Sequence, residues 1–252
     1  MMNYNATITK IEIMNEKLRE FTIKLDEGDS SFVAGQFAVL GLKDADGNLI
    51  RRAYSIVSAP ADGDRHFYIV LKYTPDIYDK TKSPKALTPL LFSAKKGDRI
   101  FLSQKALGHF TLNLANDSKQ LIYVATGTGL APFRGLLRAH EDKLKTTKIA
   151  LLHGVRSEKD LGYADELKLL AEKYPQNFFY FPIVSRPSEN WKGQKGRVDA
   201  IMKSGEIQKS FGEKLSAETS VFFCGSPLMI KDGIEIMKSL NVPAENIHKE
   251  VQ

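Results

Sequence analysis

The hydrophobic positions of this chain follow two different rhythms, and the first is that of short strands. Runs of β-branched and aromatic residues alternate with polar positions and end near Gly, Asp or Pro; they lie at 6–14, 21–25, 37–42, 51–58, 66–73 and 100–103. Alternation with a period of two, bounded by turn residues, is typical of strands with one buried face. Several short strands at this spacing predict an N-terminal antiparallel β-barrel. One helical turn interrupts them, for which Thr88 suits the N-cap and Pro89 the first helical position.

The second rhythm begins after a polar connector at 113–119. Residues 121–125 are continuously apolar, and further strand-like runs lie at 149–154, 178–184 and 221–224. Helical patterns separate them, at 131–145, 160–173 and 227–240. This alternation predicts βαβ units and a mostly parallel sheet covered on both faces. We therefore expect two domains, a β-barrel at 1–115 and a Rossmann-like α/β domain at 116–252.

Composition narrows the class of protein. A chain of 252 residues, 42 % hydrophobic and 26 % charged, is typical of a soluble globular protein. The one cysteine, Cys224, excludes a disulfide framework, a cysteine-ligated zinc site or an iron–sulfur cluster held by this chain alone. There is no GxSxG motif, and the five histidines lack metal-ligand spacing, so neither hydrolase chemistry nor a metal site is expected.

The termini and the charge indicate where the protein works. The first residues lack the pattern of a signal peptide, and no apolar run reaches the roughly 18–20 residues of a membrane span, so we expect a cytoplasmic protein. The net charge is +6, but no arginine-rich tract or recognition-helix pattern appears, so no nucleic-acid partner is expected. The stretch 72–96 has a local excess of positive charge and is either a solvated loop or a docking patch for an acidic partner. Its charged residues are Lys72, Lys80, Lys82, Lys85, Lys95 and Lys96 against Asp76 and Asp79.

The stretch 51–55 places an arginine, an aromatic ring and a hydroxyl within one predicted strand. A period of two sends Arg52 and Tyr54 to one face and Ser55 to the other. A fork-shaped cation beside a flat ring suits a ligand that has both a phosphate and an aromatic system. The alternative is an edge strand with ordinary surface residues.

A loop with two glycines follows the first strand of the second domain, and ligands of open α/β sheets bind at such strand ends. It consists of Thr126, Gly127, Thr128 and Gly129 and leads directly into a helix. Glycines let a phosphate approach the backbone N–H groups at a helix N-terminus, whereas the alternative is a purely structural tight turn. The loop matches neither GxGxxG nor GxxxxGK, so the usual dinucleotide fingerprint and a P-loop are not supported.

Two more strand ends carry candidate chemistry. One group combines a hydroxyl with cations: Ser185, Arg186, Lys195 and Arg197. These side chains either bind a dianion such as a 2′-phosphate or are scattered surface charges. Cys224 precedes Gly225 at another strand end, where a lone cysteine is most often a small buried apolar group. His153, near the end of its strand, is interpreted as a packed or capping residue rather than a base.

In this order and on this layout, the motifs resemble those of the ferredoxin–NADP⁺ reductases, in particular the compact bacterial type. Residues 52–55 are similar to the family's flavin signature and residues 127–132 to its nicotinamide-side pyrophosphate loop. The third motif is matched by Cys224 and Gly225, with Pro227 and Met229. The resemblance covers essentially the whole chain.

The resemblance implies FAD and NADP(H) as cofactors and gives roles to residues of the first domain. Tyr54 would stack on the isoalloxazine ring, and Arg52 would pair with the FAD pyrophosphate. Ser55 would hydrogen-bond the flavin N5, and Thr88 would help to hold the flavin phosphates. The residues placed at the reacting atoms by the resemblance are Ser55, Cys224 and Glu250.

For the second domain, the resemblance implies an NADP site. Its pyrophosphate loop and third motif would bind the cofactor through Gly127, Thr128, Gly129, Pro132 and Gly225. The 2′-phosphate, which distinguishes NADPH from NADH, would be read by Ser185, Arg186, Lys195 and Arg197, with Arg156 as a further candidate.

Two positions depart from the family pattern. Lys85 stands where the family usually has a glycine, three residues before the Thr88 position, and a lysine there supplies positive charge of its own. Many members end in an aromatic residue that covers the flavin face opposite the tyrosine, whereas this chain has Gln252 at that place. Glu250, two residues earlier, matches the catalytic carboxylate of the plant-type members.

The sequence therefore leads us to expect an FAD-dependent oxidoreductase that exchanges electrons between NADPH and a one-electron carrier, by hydride transfer at flavin N5. The expected partner is ferredoxin or flavodoxin, both typically acidic, and the protein is expected to be a monomer. One alternative is a flavin reductase component, NADH- or NADPH-dependent, that feeds an oxygenase or a cytochrome. Another, from a different class, is a non-catalytic flavin- or nucleic-acid-binding module.

Overall fold

The computed structural model describes residues 4–70, 86–115 and 118–251. The chain divides into two compact units, Met1–His109 and Phe110–Gln252. The sequence placed this boundary after residue 115. It lies earlier because the ring of Phe110 packs against Phe133 and Phe222, with ring centroids 5.7 and 5.4 Å apart, which ties the connector to the second unit.

The first unit is a six-stranded antiparallel sheet in the order β4-β3-β6-β1-β2-β5. Its strands are β1 (Ala6–Asn15), β2 (Leu18–Leu25), β3 (Phe37–Lys43), β4 (Leu49–Ser55), β5 (Arg65–Val70) and β6 (Arg99–Leu102). Directly after β4, Ile56 forms an antiparallel bridge with Phe67 of β5, which joins the two ends of the sheet. The predicted antiparallel barrel is therefore confirmed, although its strands begin and end up to three residues from the predicted bounds.

The interior of the barrel is mostly apolar, and the largest of its buried polar side chains is an arginine. Side chains such as Ile8, Phe21, Leu40 and Phe67 are fully buried there. Arg65 is only 1 % exposed, and its guanidinium donates to four backbone carbonyls, those of Ser30, Ser31, Ser103 and Gln104. A buried cation is tolerated when its donors are satisfied in this way.

One helix, α1 (Leu87–Ser93), lies on the barrel and packs against β3 and β4. The prediction that Thr88 caps this helix is wrong. Ala86 occupies the N-cap position in an extended conformation, and Thr88 is the second helical residue. Pro89 comes third rather than first, which is still within the turn whose N–H groups have no intrahelical partner.

The second unit is a six-stranded parallel sheet in the order β10-β9-β8-β7-β11-β12. Its strands are β7 (Gln120–Thr126), β8 (Lys148–Val155), β9 (Phe178–Val184), β10 (Gln194–Lys195), β11 (Thr219–Gly225) and β12 (Ile247–Val251). Its helices are α2 (Leu130–Ala139), α3 (Ala164–Lys173), α4 (Val198–Ser204), α5 (Glu206–Phe211) and α6 (Pro227–Ser239). Every described strand pair in it is parallel, which confirms the predicted α/β domain.

Some elements of this unit differ from the prediction. The helix expected at 131–145 ends at Ala139, and a separate 3-10 turn, Glu141–Lys145, follows. The helix expected from residue 160 begins at Ala164, because Tyr163 before it has a left-handed backbone with φ 58°. In the part of the chain that is described, no helix is long and apolar enough to cross a membrane.

Candidate functional site

The candidate nucleotide site lies where the order of the parallel sheet reverses. β7 lies between β8, which follows it in the chain on one side, and β11, which comes later in the chain and pairs with its other side. Open α/β sheets bind their ligands at the carboxyl ends of the strands where the strand order reverses, so the loops after β7 and β11 are the candidate site. We refer to residues 126–129 and 224–226 as the switch-point loops.

The switch-point loops are in direct contact. The amide of Ser226 donates to Thr126 Oγ1 at 3.0 Å. A Cβ on Gly129 would overlap the carbonyl oxygen of Cys224, and a Cβ on Gly225 would overlap Thr126 Oγ1. Gly225 also has φ +147°, which residues with side chains rarely adopt. Both glycines are therefore required for this close approach.

The loop after β7 presents backbone N–H groups at the start of a helix. Residues Gly127–Gly129 form a 3-10 turn that continues into α2, whose first turn contains no acidic residue. The first N–H groups of a helix lack intrahelical acceptors and carry partial positive charge, so this end suits an anion. Thr128 is partly exposed in this turn, and Pro132 is buried in α2.

His153 lies under this loop and is fully buried. It pairs in register with Ala125 of β7, and its Nδ1 lies 3.2 Å from Tyr180 Oη. Burial lowers the pKa of His153 to about 4, and the nearby backbone of Gly127 opposes this shift only weakly. Its Nε2 makes no hydrogen bond of normal geometry within the described residues. A neutral, enclosed imidazole fits the interpretation of a packed residue rather than a general base.

Cys224 and Glu250 are neighbours on adjacent parallel strands. The register of β11 and β12 pairs their Cα positions. Burial raises the pKa of the Cys224 thiol well above its usual value, and the carboxylate of Glu250 raises it further. Cys224 is therefore an uncharged thiol and not an activated nucleophile. Gln252, which the sequence placed in the same region, lies outside the described residues.

A group of cations follows the ends of three neighbouring strands, β8, β9 and β10; we call it the cation cluster. Its members are Arg156, Arg186, Lys195 and Arg197, all exposed. The amide of Arg186 donates to the carbonyl of Arg156 at 2.8 Å, and Lys195 pairs in register with Val184 at the end of β9. In residues 4–70, 86–115 and 118–251, none of these four side chains forms an ion pair.

Ser185 belongs to the same edge but its hydroxyl is already engaged. Its Oγ donates to the carbonyl of Val155 at 3.2 Å, and its amide donates to the same carbonyl at 2.9 Å. These bonds hold the end of β9 against the end of β8. The structure thus places the predicted group, and the further candidate Arg156, at neighbouring strand ends along one edge of the sheet.

In the first unit, β4 carries the predicted ligand face. Arg52 and Tyr54 pair with Leu40 and Ala38 of β3, so they share one face of β4, whereas Ser55 is buried on the other. Burial raises the pKa of Tyr54, and the charge of Arg52 opposes this shift. The guanidinium of Arg52 is exposed and donates to the carbonyl of its neighbour Arg51 at 2.7 Å. A cation without a carboxylate partner, in the described part of the chain, thus lies beside a partly buried ring.

Other predicted residues of this unit are only partly accounted for. Thr88 is partly buried in the first turn of α1, which packs beside β4. Lys95 and Lys96 are exposed just after α1. The remaining lysines of the predicted positive stretch, Lys72, Lys80, Lys82 and Lys85, lie outside the described residues.

One residue of the site was named from the sequence only as part of a loop, without a role of its own. Thr126 accepts the amide hydrogen bond that joins the two switch-point loops. Its position at the end of a buried strand, directly before the two glycines, is the available signal. The sequence does not say which strand lies beside β7, so the partner of Thr126 was not predictable.

Comparison with known proteins agrees with this geometry. Residues 123–233 match the family model described as the oxidoreductase NAD-binding domain. The chain is 34 % identical over 231 residues to a flavodoxin/ferredoxin–NADP reductase of Buchnera aphidicola subsp. Baizongia pistaciae, covering 91 % of this chain and 88 % of that one. It is 32 % identical over 227 residues to the protein of the same name from Escherichia coli K12, covering 89 % and 86 %.

A solved structure is similar over the whole length. It is a ferredoxin NADP⁺ reductase from Neisseria gonorrhoeae with bound FAD and NADP, 28 % identical, with a TM-score of 0.82 and coverage of 98 % of this chain and 97 % of that chain. The barrel, the doubly wound sheet and these matches define a class, the flavin-dependent NAD(P)H oxidoreductases. Within that class, the chain belongs to the flavodoxin/ferredoxin–NADP reductase family.

Proposed function

We propose that this protein binds FAD and NADP(H) and passes electrons between NADPH and ferredoxin or flavodoxin. The observation that carries the choice of NADPH is the cation cluster at the ends of β8, β9 and β10. Its four cations have no carboxylate partner in the described parts of the chain. Like charges held together repel one another, and a 2′-phosphate relieves this repulsion with charge-assisted hydrogen bonds. NADH lacks this group.

The residues of β4 fit a flavin nucleotide. Tyr54 offers a ring supported by the barrel core, on which the isoalloxazine stacks, and Arg52 on the same face offers an exposed guanidinium for the pyrophosphate. Ser55 is assigned to N5 and Thr88 to the flavin phosphates, in line with the family resemblance. FAD, when bound, supplies N5 as the hydride acceptor and releases the electrons singly.

The switch-point loops fit the pyrophosphate of NADP(H). Gly127, Thr128 and Gly129 present backbone N–H groups at the start of α2, and Gly225 keeps the facing loop free of a side chain. Cys224 and Glu250 are assigned to the nicotinamide end. The uncharged thiol of Cys224 offers a small, polarisable packing surface there.

The partner is argued from relatives and charge. Several relatives carry the name flavodoxin/ferredoxin–NADP reductase, and both carriers are typically acidic. Lys95 and Lys96 are exposed and belong to the positive stretch of the first unit. Opposite charges at such a surface accelerate encounter and depend on ionic strength.

An absorbance experiment tests the proposal. The purified protein should show a flavin spectrum, which anaerobic NADPH bleaches faster than NADH at equal concentration. Reduced protein should then transfer electrons to added ferredoxin or flavodoxin, at a rate that falls as salt is raised. A protein without flavin absorbance after incubation with FAD, or one that NADH bleaches as fast as NADPH, would contradict the corresponding half of the proposal.

A further inference from the structure

The strand β9 and the short strand β10 are joined by residues 185–193, and the single tryptophan of the chain lies in this connection. The amide of Trp191 donates to the carbonyl of Ser188 at 3.2 Å, and its ring Nε1 donates to the carbonyl of Gln194 at 2.9 Å. One residue thus ties the start of the turn to the first residue of β10. Its described contacts lie within residues 188–194.

Gly193 is the residue on which the indole ring rests. A Cβ at Gly193 would overlap Cζ2 of Trp191 and approach Cε2 to 2.8 Å. No side chain fits between the backbone and the ring, so the ring lies directly on the chain. The turn is therefore packed as well as hydrogen-bonded, although it lies at the surface.

Two carboxylates hold the turn from outside. Glu158, just after β8, accepts from the amide of Ser188 at 2.6 Å; its pKa is lowered first by a hydrogen bond from its own backbone and then by those from Ser188. Glu206, at the start of α5, lies 3.2 Å from Nε2 of Gln194. At the far end, the amide of Gly196 donates to the carbonyl of Val184 at 2.9 Å. The turn is thus fixed on both sides and at its base.

The cation cluster is arranged around this turn. Arg186 lies at its beginning, and Lys195 and Arg197 follow its end. Long cationic side chains lose conformational freedom when they converge on a dianion, and like charges resist convergence. A backbone that is already fixed removes the part of this cost that comes from ordering the loop.

We propose that Trp191 is a positioning residue for cofactor choice: with Gly193 it fixes the turn so that Arg186, Lys195 and Arg197 converge on the 2′-phosphate of NADPH. This inference rests on the proposed function, because it presupposes that the cluster binds that phosphate. Trp191 itself need not touch the cofactor. Its effect is on affinity for the phosphorylated cofactor and not on the hydride step.

Two substitutions test the role by kinetics. Trp191→Phe keeps an aromatic ring but removes the Nε1–H donor, and Gly193→Ala forces the ring away from the backbone. Each should raise KM for NADPH by about fivefold or more, the scale of one lost hydrogen bond, with kcat retained and kcat/KM for NADH changed less than about twofold. Equal losses with NADPH and NADH, or no loss with either, overturn the proposal.

The single tryptophan also gives a direct binding signal. Adenosine 2′,5′-bisphosphate and adenosine 5′-monophosphate differ only by the 2′-phosphate, and both can be titrated into the FAD-loaded protein while tryptophan emission is recorded. The bisphosphate should change the emission saturably at a much lower concentration than the monophosphate. Gly193→Ala should weaken the binding of the bisphosphate but not that of the monophosphate. A bisphosphate affinity that is the same in Gly193→Ala and in the unchanged protein overturns the role of the turn.

Arg186→Ala separates this inference from the proposed function. If Arg186→Ala leaves the preference for NADPH unchanged, the cluster does not read the 2′-phosphate, and both ideas fail. If Arg186→Ala narrows the preference while Trp191→Phe and Gly193→Ala do not, the proposed function stands and the positioning role of Trp191 is wrong. Thermal unfolding of each variant shows whether the effect comes from lost stability instead.

Discussion

The switch-point loops and the cation cluster lie on the same edge of one sheet and use opposite means to offer an anion site. The switch-point loops rely on backbone, because Gly129 and Gly225 pack so closely that a single added carbon would overlap an oxygen atom. The cation cluster relies on long exposed side chains without carboxylate partners among the described residues. A site built from backbone groups tolerates almost no substitution. The affinity of a site built from side chains changes gradually as single side chains are replaced. We therefore expect the first to control binding of any dinucleotide and the second to control which dinucleotide is preferred.

Gly129→Ala should give the largest effect, because the new Cβ would overlap the carbonyl oxygen of Cys224. The two loops must separate to make room, and this should lower the free energy of unfolding by about 1–3 kcal/mol. Turnover with NADPH and NADH should fall together, by much more than tenfold. Steady-state kinetics with both cofactors and urea unfolding measure the two effects.

Gly127→Ala is the matched control for that change. Gly127 has φ +56°, but a Cβ there would meet nothing within 4 Å. It should cost only about 1–2 kcal/mol of backbone strain and should leave the two loops in contact. Comparable activity losses for the two alanine variants would show that close approach is not the requirement.

The region under the switch-point loops should be sensitive to pH through His153. Its pKa of about 4 is below the usual 6.5, so between these values the unfolded chain binds the proton and the folded chain does not. The free energy of unfolding should therefore have its full value above pH 6.5 and should fall as the pH is lowered, by up to about 3 kcal/mol at pH 4. His153→Gln cannot take up this proton. Urea unfolding at several pH values should show a shallower pH dependence for the variant; identical slopes would contradict a neutral buried imidazole.

Arg186→Ala should change the cation cluster in the graded way expected of a side-chain site. The fall in kcat/KM for NADPH should correspond to about 1–3 kcal/mol of lost transition-state stabilisation, the scale of a charge-assisted hydrogen bond. NADH should be used as before, because it lacks the group that Arg186 is proposed to bind. An equal loss of kcat/KM with both cofactors would show that the cluster, like the switch-point loops, acts on either dinucleotide. The proposed difference between the two regions would then be wrong.

Arg156→Ala should have the smallest effect, a loss of less than about 1 kcal/mol in transition-state stabilisation with NADPH, the scale of an exposed ionic contact. Its backbone carbonyl accepts the hydrogen bond from the amide of Arg186, and alanine retains that carbonyl. Only the exposed side chain is lost. An effect as large as that of Arg186→Ala in the same assay would show that Arg156 is a main ligand of the phosphate.

The sequence predicted the elements whose pattern is strong and local. The strand expected at 178–184 is β9, Phe178–Val184, because its apolar run is bounded on both sides. By contrast, β10 has two residues, Gln194–Lys195, and β12 reads Ile-His-Lys-Glu-Val; both are strands because a neighbour offers a hydrogen-bonding edge. Their formation depends on the tertiary structure, which periodicity does not contain.

The candidate site was predictable to a similar degree. The two glycines after β7, the cysteine–glycine pair at the end of β11 and the cations after β9 were each found from residue type and position at a strand end. The contact between Thr126 and Ser226 was not, because it requires β11 to lie beside β7, and strand order is not written in either segment. The cap of α1 was misplaced because Ala86 has no side-chain signal for that position.

Arg65 links the opening of two loops of the barrel. Its one guanidinium holds carbonyls from two separate loops, at Ser30 and Ser31 and at Ser103 and Gln104. Neither loop can open without breaking bonds to a cation that would then be buried without acceptors. The two loops should therefore exchange their amide hydrogens with solvent as one cooperative unit, although more than seventy positions separate them in the chain (Ser31 to Gln104).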